Sequence, residues 1–446
     1  MADEQNVSRR DVLTGALAMA ASLGMPPVVA RAMQAAKDPA AAAADAAREA
    51  ANAEPVNLAW IGTGVQGRND MTQLSRLPGV KFVAIADIYQ PSIDEALKIT
   101  GPGCEVYTDY RKLLERKDIQ GVGIATPLYL HAPIAIDALN AGKAVYCEKM
   151  MAYTVEDAKK MVRTADRTGK ILQIGHQRRY SPDYHHALDL IKKGYFGEIT
   201  HVRAQWNRNG SWRRAVPDPK EVGVKFTKEE LEHLLNWRLY KDRSRGLMAE
   251  LGSHQIDVTN WFMGMHPISV VGIGGLDTYK DGRNIYDNVQ CIFEYPNGLK
   301  LTYQSIQTNA FDDYTEQFMG RKGTLITSEA PGKSMMFQEA QAELAFAKFS
   351  QNKTKVGGKE AILLDAGATT KQDKRQRTAG QTLAGSGISK NNWALALEDW
   401  VDCIRKNRKP FCDARIGLAD TVCVLASLEA MEKGTRVHIS EEMFQV

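Results

Sequence analysis

The sequence lacks a marked excess of charge of either sign. Its 446 residues include 57 Lys and Arg against 53 Asp and Glu, which gives a net charge of +4 at pH 7. Proteins that bind the phosphates of nucleic acids usually present a strongly basic surface. The charge balance therefore argues against a nucleic-acid partner, and we expect a small-molecule ligand instead.

Long uninterrupted hydrophobic runs are also missing. The one long apolar stretch, between Val12 and Ala30, is interrupted by Gly, Ser and Pro residues. A helix that crosses a bilayer needs about 20 consecutive apolar residues, so we expect no stable membrane span. The contents of 44% hydrophobic and 25% charged residues are those of a globular protein, and the length suffices for two or three domains.

Cysteine is scarce, and its spacing does not suggest a metal site. The six cysteines include no C-x-x-C pair. The adjacent His185 and His186 would point away from each other on a helix. Neither the H-E-x-x-H zinc motif nor the G-x-S-x-G nucleophile motif occurs. We therefore expect unpaired, mostly buried cysteines and no metal ion.

The N-terminus combines two arginines with an apolar run. Residues 8–13, SRRDVL, resemble the twin-arginine pattern of proteins that leave the cytoplasm already folded, although Val12 stands where Phe is usual. Small residues suited to cleavage follow at 28–30 and 30–32. We predict a signal peptide over residues 1–32, export by the twin-arginine machinery and a periplasmic or other extracytoplasmic location. The alternative is a chance pair of arginines before an Ala-rich helix.

An Ala-rich linker over residues 33–54 is expected to precede the first domain. From residue 55, apolar strand patterns such as VKFVAIAD alternate with helical patterns over 91–99, 130–141 and 154–168. This alternation is typical of a parallel sheet that is covered on both faces. The sequence therefore predicts a doubly wound α/β (Rossmann) domain over residues 55–176.

The pattern changes after residue 176. Residues 289–295 and 299–303 alternate apolar and polar side chains on either side of a Pro-Asn-Gly turn, which predicts a β-hairpin. We predict an α+β domain over residues 177–446, with a large, mainly antiparallel sheet for substrate binding and oligomerisation. Residues 352–390, rich in Gly, Lys, Gln, Thr and Ser, are predicted to be a mobile insertion.

A glycine-rich turn follows the first predicted strand and fits G-x-G-x-x-G. In this motif the glycines permit a tight turn, a close approach to a pyrophosphate and close packing of helix on strand. The free N–H groups of the helix that follows would face the phosphates. The candidate cofactor-binding residues here are Gly62, Thr63, Gly64, Val65, Gln66 and Gly67.

Asp87 ends the next predicted strand, at the spacing that the motif requires. A carboxylate at this position accepts hydrogen bonds from both ribose hydroxyls and repels a 2′-phosphate. An ordinary loop aspartate is the alternative interpretation. We predict NAD as the cofactor, with NADP less favoured.

Residues that leave the carboxyl ends of the later strands should border the dinucleotide. Thr126, Pro127 and His131 follow one such strand, and Glu148 and Lys149 follow the next. Lys149 would lie beside the nicotinamide, where partial desolvation disfavours its charged form and suits it to acid–base work near neutral pH. A lysine after a strand is, however, more often a solvated loop residue.

A polar stripe marks a later predicted helix. Glu250, His254 and Asp257 fall at positions i, i+4 and i+7 and share one helix face. A carboxylate and an imidazole one turn apart can orient a sugar hydroxyl and relay its proton. The alternative is a capped helix with a solvated polar face.

Taken in this order, these elements resemble the Gfo/Idh/MocA oxidoreductases, named for glucose–fructose oxidoreductase, inositol dehydrogenase and a rhizopine-catabolism protein. The resemblance covers about residues 55–435. Besides the glycine-rich turn, it includes Asp87, Glu148-Lys149, the segment QIGHQRRY at 173–180 and residues 246–257.

The resemblance implies roles for individual residues. Lys149 corresponds to the catalytic lysine, and Glu250 and His254 occupy the positions of the family's Asp and His. Met150 stands where the family usually has Pro, and Glu250 where it usually has Asp. The resemblance adds Gln177 to the cofactor site and, for the substrate, assigns Arg178, Trp237, Arg238 and Asp257.

The resemblance also implies a function. We expect an exported enzyme that transfers a hydride between a tightly bound NAD and a sugar, polyol or glycoside. A redox-neutral, NAD-dependent glycoside hydrolase is the alternative, and a non-catalytic sugar-binding protein that contains NAD is a second one. Relatives that pair through the sheet imply a homodimer or homotetramer.

Overall fold

A computed structural model of the chain describes residues 24–37, 44, 53–223, 225–330, 332–340, 342, 353–364 and 391–446. The arginine pair of the predicted signal peptide lies outside these residues, as does most of the predicted linker. Within the described ranges, no helix is long and apolar enough to cross a membrane.

The first sheet, as far as the chain is described, has six strands that all run parallel, in the order β3-β2-β1-β4-β5-β6. The strand order reverses between β1 and β4, so a crevice opens at the carboxyl ends of these two strands. The predicted Rossmann domain is confirmed. Its strands are β1 Val56–Ile61, β2 Val80–Ala86, β3 Glu105–Tyr107, β4 Gly121–Ile124, β5 Ala144–Cys147 and β6 Leu172–Ile174.

Helices cover both faces of this sheet, and the predicted ones end within about two residues of the observed ends. Thr154 caps the helix after β5 by accepting a hydrogen bond from the N–H of Asp157. The described helices up to residue 192 are α1 Pro27–Lys37, α2 Val65–Leu74, α3 Gln90–Thr100, α4 Tyr110–Leu114, α5 His131–Asn140, α6 Val155–Thr168 and α7 Pro182–Lys192. The later ones are α8 Lys228–Leu235, α9 Ser253–Met263, α10 Asn392–Lys406 and α11 Ala414–Lys433.

The second sheet has ten strands in the part of the chain that is described, in the order β14-β15-β13-β12-β11-β7-β10-β9-β8-β16. All neighbouring pairs are antiparallel except β7 and β10, as the sequence predicts for a mainly antiparallel sheet. The strands are β7 Ile199–Asn207, β8 Ser269–Gly275, β9 Asn288–Glu294, β10 Lys300–Ile306, β11 Tyr314–Gly320, β12 Gly323–Thr327, β13 Met335–Gln338, β14 Lys353–Val356, β15 Lys359–Leu363 and β16 Val437–His438.

The two faces of the second sheet differ. Helices α9 and α11 pack on one face, where Phe293 and Tyr303 of the predicted hairpin are buried. The other face is open and carries exposed apolar side chains, among them Ile273 (79% exposed) and Phe311 (82% exposed). This asymmetry is the physical reason for the period-two pattern in the sequence.

The segment predicted as a mobile insertion, residues 352–390, contains regular structure at residues 353–364. These residues form the hairpin β14–β15, which turns at Gly357-Gly358 and pairs with β13. The strands lie at the edge of the sheet, so most of their side chains are exposed and polar and lack the usual apolar alternation. Residues 365–390 lie outside the described residues.

The predicted domain boundary at residue 177 does not describe where helix α10 packs. Helix α10, assigned from the sequence to the second domain, returns to the first and packs against α2 and β1. Trp400 of α10 is fully buried with Leu58 and Trp60 of β1. The Gln173 side-chain amide donates to the Ala396 carbonyl at 2.7 Å and ties α10 to β6. The Rossmann sheet is therefore covered by chain from both ends of the sequence.

Helix α1 contains both predicted cleavage sites. Met25, Val28 and Val29, at or just before its start, are buried, and the helix packs against α7 and α10. Residues 33–37, predicted as the start of the linker, are helical and form the end of α1. The segment that cleavage would remove therefore contributes to the hydrophobic core.

The six cysteines are free thiols, and all but Cys104 are buried. Burial raises the pKa of the Cys291 and Cys403 thiols to about 12. These groups are therefore protonated and inert at neutral pH, which agrees with the prediction.

Candidate active site

The glycine-rich turn joins β1 to α2 and is shaped by close packing. Gly62 has φ +90°, and a Cβ on it would lie 2.7 Å from the Ala125 carbonyl carbon. A Cβ on Gly67 would lie 2.1 Å from the Gly62 carbonyl oxygen. Gly64, at the start of α2, faces open space instead, with no atom within 4 Å of its Cβ position. The turn thus leaves room for a ligand only at the second glycine of the motif.

Asp87 lies beside this turn at the end of β2. One carboxylate oxygen accepts hydrogen bonds from the Thr63 N–H at 2.6 Å and the Thr63 hydroxyl at 2.9 Å. The other accepts from the N–H groups of Ile88 and Tyr89. Each carboxylate oxygen can accept more than one bond. Asp87 therefore fixes the turn and retains capacity for ribose hydroxyls.

Two predicted cofactor residues that follow β4, Thr126 and His131, differ in their surroundings. The ring of His131 lies between two carbonyl oxygens, 2.9 Å from Met150 O and 3.0 Å from Thr126 O, and burial lowers its pKa. His131 therefore ties this loop to the chain after Lys149 and is shut away from a cofactor. The Thr126 hydroxyl, in contrast, has no hydrogen-bond partner in the described part of the protein. This hydroxyl oxygen is buried, so it is an unsatisfied polar atom at the end of β4.

Glu148 is a buried carboxyl group behind Lys149. The Tyr146 hydroxyl donates to it at 3.0 Å. Burial raises the pKa of Glu148 to about 7. Asp70 of α2 is also buried, and both burial and the charge of Glu148 raise its pKa. Two carboxyl groups that favour the protonated form thus lie under the glycine-rich turn.

Lys149 leaves the end of β5 and reaches into the second domain. Its Nζ donates a hydrogen bond to the backbone carbonyl oxygen of Glu250 at 2.9 Å. The Lys149–Met150 peptide bond is cis. The Glu250 carboxylate points elsewhere: it accepts from Arg238 Nε at 2.7 Å. The predicted partnership of Lys149 with Glu250 therefore runs through the main chain.

The charge of Glu250 is set by its neighbours. Burial alone would raise its pKa, but the nearby positive charges of Arg238 and Lys149 outweigh it, so that the pKa lies below the ordinary value. Arg238 in turn stacks 4.3 Å from the ring centre of Trp237. The predicted residues Trp237 and Arg238 thus stand next to the lysine and carboxylate of the site.

His254 follows one turn after Glu250. The chain from Met248 to Gly252 is wound as a π-helical turn, and α9 begins at Ser253. Such wide turns often occur at functional sites. His254 is 6% exposed, and burial and the charges of Lys149 and Arg178 hold its pKa well below the ordinary value. Its Nδ1 has no hydrogen-bond partner among the described residues, so the buried, neutral imidazole keeps one ring nitrogen unsatisfied.

Asp257, the third residue of the stripe, is placed in the interior. It is 2% exposed and accepts bonds from Arg179 at 2.8 and 2.9 Å. Its carboxylate also lies 3.8 Å from the ring of His176. The structure therefore gives Asp257 a buried ion pair, and only Glu250 and His254 of the three predicted residues share the candidate site.

Gln177 and Arg178, predicted to bind the cofactor and the substrate, are both buried. Gln177 donates to Glu329 at 3.4 Å. Arg178 donates to Glu329 at 2.8 Å and also pairs with Glu316. Gln177 and Arg178 therefore brace the wall of the site from behind and are not open to the crevice.

Residues 56–176 match the model of the Gfo/Idh/MocA oxidoreductase family, NAD-binding Rossmann fold. Residues 189–439 match the model of the C-terminal α/β domain of the same family. The chain belongs to the Gfo/Idh/MocA family.

Curated relatives align with less than half of this chain. A glycosyl hydrolase family 109 protein of Shewanella sp. strain ANA-3 is 36% identical over 175 residues, which are 37% of this chain and 38% of the relative. An α-N-acetylgalactosaminidase of Shewanella oneidensis is 35% identical over 180 residues, 36% of this chain and 39% of the relative. The match thus spans under half the length of these relatives.

Solved structures show the same Gfo/Idh/MocA fold over most of the chain. A myo-inositol 2-dehydrogenase of Lactobacillus plantarum has TM-score 0.64 at 18% identity and covers 87% of this chain and 100% of its own. A levoglucosan dehydrogenase in complex with NADH and levoglucosan has TM-score 0.67 at 17% identity, with the same coverage. An aldose-aldose oxidoreductase of Caulobacter crescentus has TM-score 0.64 at 20% identity, covering 86% and 100%.

Sequence reasoning missed several residues of this Gfo/Idh/MocA site. Trp206 of β7 lies 5.4 Å from His254, and Tyr314 of β11 lies 4.7 Å from Trp206, measured between ring centres. Glu316 and Glu329 neutralise Arg178. An acid on the buried side of a strand was a usable signal for Glu316. The remaining residues come from separate strands that only the fold brings together.

Proposed function

We propose that the protein oxidises a CH–OH group of a sugar, polyol or glycoside, with NAD held in the crevice of the Rossmann domain. The observation that carries the proposal is the hydrogen bond from Lys149, at the carboxyl end of β5, to the carbonyl of Glu250, which lies one turn before a buried, neutral His254. Bound NAD would supply a hydride acceptor, the C4 carbon of its nicotinamide. The residues of the chain must then handle only the hydroxyl proton.

Three features of the crevice fit a dinucleotide. Gly64 leaves open space where a pyrophosphate would approach the start of α2. The Thr126 hydroxyl has no hydrogen-bond partner in the described protein. Asp87 stands at the ribose position. We propose that NAD is held tightly, so that it stays with the protein through purification.

The proposed proton transfer uses Lys149 as the base. Its Nζ is held at 2.9 Å from the Glu250 carbonyl, which fixes its direction. The substrate hydroxyl gives its proton to this amine as the C–OH group becomes a carbonyl. The neutral His254 positions the same hydroxyl by hydrogen bonding. Arg238 keeps the Glu250 carboxylate ionised next to the site.

A second candidate, hydrolysis of a glycoside without net oxidation, is favoured by the names of the curated relatives. In this reaction the hydride taken from the sugar is returned, and the net change is addition of water across the glycosidic bond. The same Lys149 is needed. The two candidates differ in the redox state of the cofactor at the end of turnover.

The test compares Lys149→Ala with a matched control, Lys160→Ala, which removes an exposed lysine on α6. Purified protein is given a panel of sugars and chromogenic glycosides, and the nicotinamide absorbance is followed together with glycoside cleavage. We expect the first variant to lose at least about 100-fold in rate and the control to keep the full rate. An unchanged rate in Lys149→Ala would refute the assignment. Sugar binding without turnover in the wild type would favour a non-catalytic NAD-containing protein.

We also propose that the protein is exported after folding, because the twin-arginine route lets a cofactor made in the cytoplasm cross with its protein. The support is the sequence of residues 8–13. Cell fractionation of the wild type and of a variant with Arg9→Lys and Arg10→Lys tests this. Retention of the variant in the cytoplasm is expected, and equal export of both would contradict it.

A homodimer or homotetramer formed through the open face of the second sheet is proposed as well. A groove of about 730 Å³ crosses this face, and the exposed side chains of Ile273, Ile292 and Phe311 border it. Light scattering should give a dimer or larger assembly that Ile292→Glu dissociates. A wild-type monomer would contradict the proposal.

A further inference from the structure

Three arginines are carried by chain segments next to the candidate site. Arg208 directly follows β7, Arg214 lies in the loop after it, and Arg238 belongs to the Trp237–Leu239 turn. We call these residues the arginine rim. Arg238 is bonded to Glu250, whose carbonyl meets Lys149. Glu250 therefore links Arg238, a member of the arginine rim, to Lys149.

The loop that carries Arg214 is fixed to the site. The Asn236 side chain accepts a hydrogen bond from the Arg214 N–H at 2.7 Å and donates one to the Arg214 carbonyl at 3.1 Å. Asn236 is buried and directly precedes Trp237. The guanidinium of Arg208 lies 5.4 Å from the ring centre of Trp212 in the same loop. The rim is therefore built into the wall of the site.

Two members of the rim have no counter-ion. Arg213, between them in the chain, is paired with Glu232 and Asp281. In the part of the protein that is described, the guanidinium groups of Arg208 and Arg214 make no ion pair and no hydrogen bond. Both residues are exposed, but partial desolvation and the positive charge of Arg238 lower the pKa of both groups. Unlike their neighbour Arg213, they remain an uncompensated positive surface.

We propose that Arg208 and Arg214 bind an anionic substituent of the substrate, a carboxylate, sulfate or phosphate carried by the sugar whose hydroxyl meets Lys149. This inference rests on the proposed function, because it places a sugar at the lysine. Planar guanidinium groups are suited to two-point binding of such oxyanions. An anion would also relieve the repulsion among the three arginines.

The cofactor's phosphates are the competing anion, and the placement argues against them. The pyrophosphate belongs at the glycine-rich turn, where Arg68 of α2 already donates to the Thr63 carbonyl at 2.7 Å. Arg208 and Arg214 belong to the second domain instead, and the Arg214 main chain is bonded to Asn236, which directly precedes Trp237 and Arg238. The rim is thus carried by the second domain, where the substrate must lie.

The experiment measures binding of matched sugars to the NAD-loaded protein by calorimetry. Galacturonic acid is compared with galactose, N-acetylgalactosamine 6-sulfate with N-acetylgalactosamine, and glucose 6-phosphate with glucose. The three arms separate carboxylate, sulfate and phosphate. We expect at least one anionic sugar to bind about 10-fold more tightly than its neutral counterpart, and we expect added salt to reduce this preference.

Variants assign the preference to the rim. Arg208→Gln and Arg214→Gln should each reduce it by about 10-fold, Arg214→Lys should retain part of it, and the affinity for NAD should stay constant. Arg321→Gln, which removes an exposed arginine paired with Glu198, is the control and should change nothing. Equal binding of charged and neutral sugars would overturn the inference. Weaker NAD binding in the rim variants, with the sugar preference intact, would do so too.

The outcome also separates this inference from the proposed function. Binding of an anionic sugar that depends on the rim, in a protein that never transfers a hydride, would support the inference and refute the function. Rapid oxidation of a sugar by a protein that binds charged and neutral sugars equally, with no change in the rim variants, would support the function and refute the inference.

Discussion

The glycine-rich turn offers a matched pair of substitutions that separates folding from cofactor binding. In Gly67→Ala, the new Cβ would lie 2.1 Å from the Gly62 carbonyl oxygen and 2.7 Å from Trp60 Nε1. Carbon and carbonyl oxygen normally approach no closer than about 3.3 Å, so α2 and the turn must separate by about 1 Å. The oxygen belongs to the main chain and cannot rotate away. Overpacking of this kind costs about 3 kcal/mol.

Gly64→Ala is the other half of the pair. No atom lies within 4 Å of the Cβ position, and the backbone at φ −60° suits alanine. The change should cost at most about 1 kcal/mol, the usual penalty for alanine at a helix N-cap. The added methyl group would, however, occupy the space in which a pyrophosphate approaches the backbone. We expect near-native stability with at least about 10-fold weaker NAD binding.

Two measurements on each variant complete this test. Chemical denaturation gives the free energy of unfolding of the nucleotide-free protein, and calorimetry gives the NAD affinity. The reasoning predicts that Gly67→Ala loses stability and that Gly64→Ala loses affinity alone. Full NAD affinity in Gly64→Ala would refute the placement of the cofactor, and an unchanged stability in Gly67→Ala would refute the packing.

Three further predictions concern the rest of the molecule. Because burial raises the pKa of Glu148 to about 7, the folded protein holds a proton that the unfolded chain releases. The free energy of unfolding should therefore fall as the pH rises from about 4.5 to about 7. In denaturation curves, Glu148→Gln should flatten this fall. Asp257→Asn leaves the buried Arg179 without its carboxylate and should destabilise the fold by about 3 kcal/mol, whereas a larger KM at unchanged stability would indicate contact with substrate. Deletion of residues 1–32 removes Val28 and Val29 from the core and should lower the free energy of unfolding by about 3 kcal/mol, seen as a lower melting temperature. An unaltered melting temperature would show that the start of α1 is dispensable.

Local pattern predicted the Rossmann half well. Its strands are buried on both faces and read as short apolar runs, and the turn at residues 62–67 requires glycine for steric reasons that hold in any such fold. The hairpin of β9 and β10 was equally visible, because one face is buried and the other is open. In each case the information lies within one or two consecutive elements.

The rest depends on contacts between distant segments. Helix α10 covers β1 although more than 300 residues separate them, and an amphipathic pattern does not show which sheet it will cover. Arg178 was assigned to substrate by the family resemblance; its partners are Glu316 on β11 of the second sheet and Glu329 just after β12. Asp257 shares a helical stripe with His254, but burial against Arg179 decides its role. These are tertiary effects that spacing along the chain cannot contain.

The central claim is that the protein carries NAD and exchanges a hydride with a sugar at Lys149. The most direct measurement is to denature the purified protein, identify the nucleotide released, and compare its redox state before and after exposure of the native protein to sugars and glycosides. The account predicts about one NAD per chain. Either a sugar reduces this NAD, or glycoside cleavage requires it and stops when the NAD is removed. A protein that binds no nicotinamide nucleotide, yet acts on the same substrates, would contradict it.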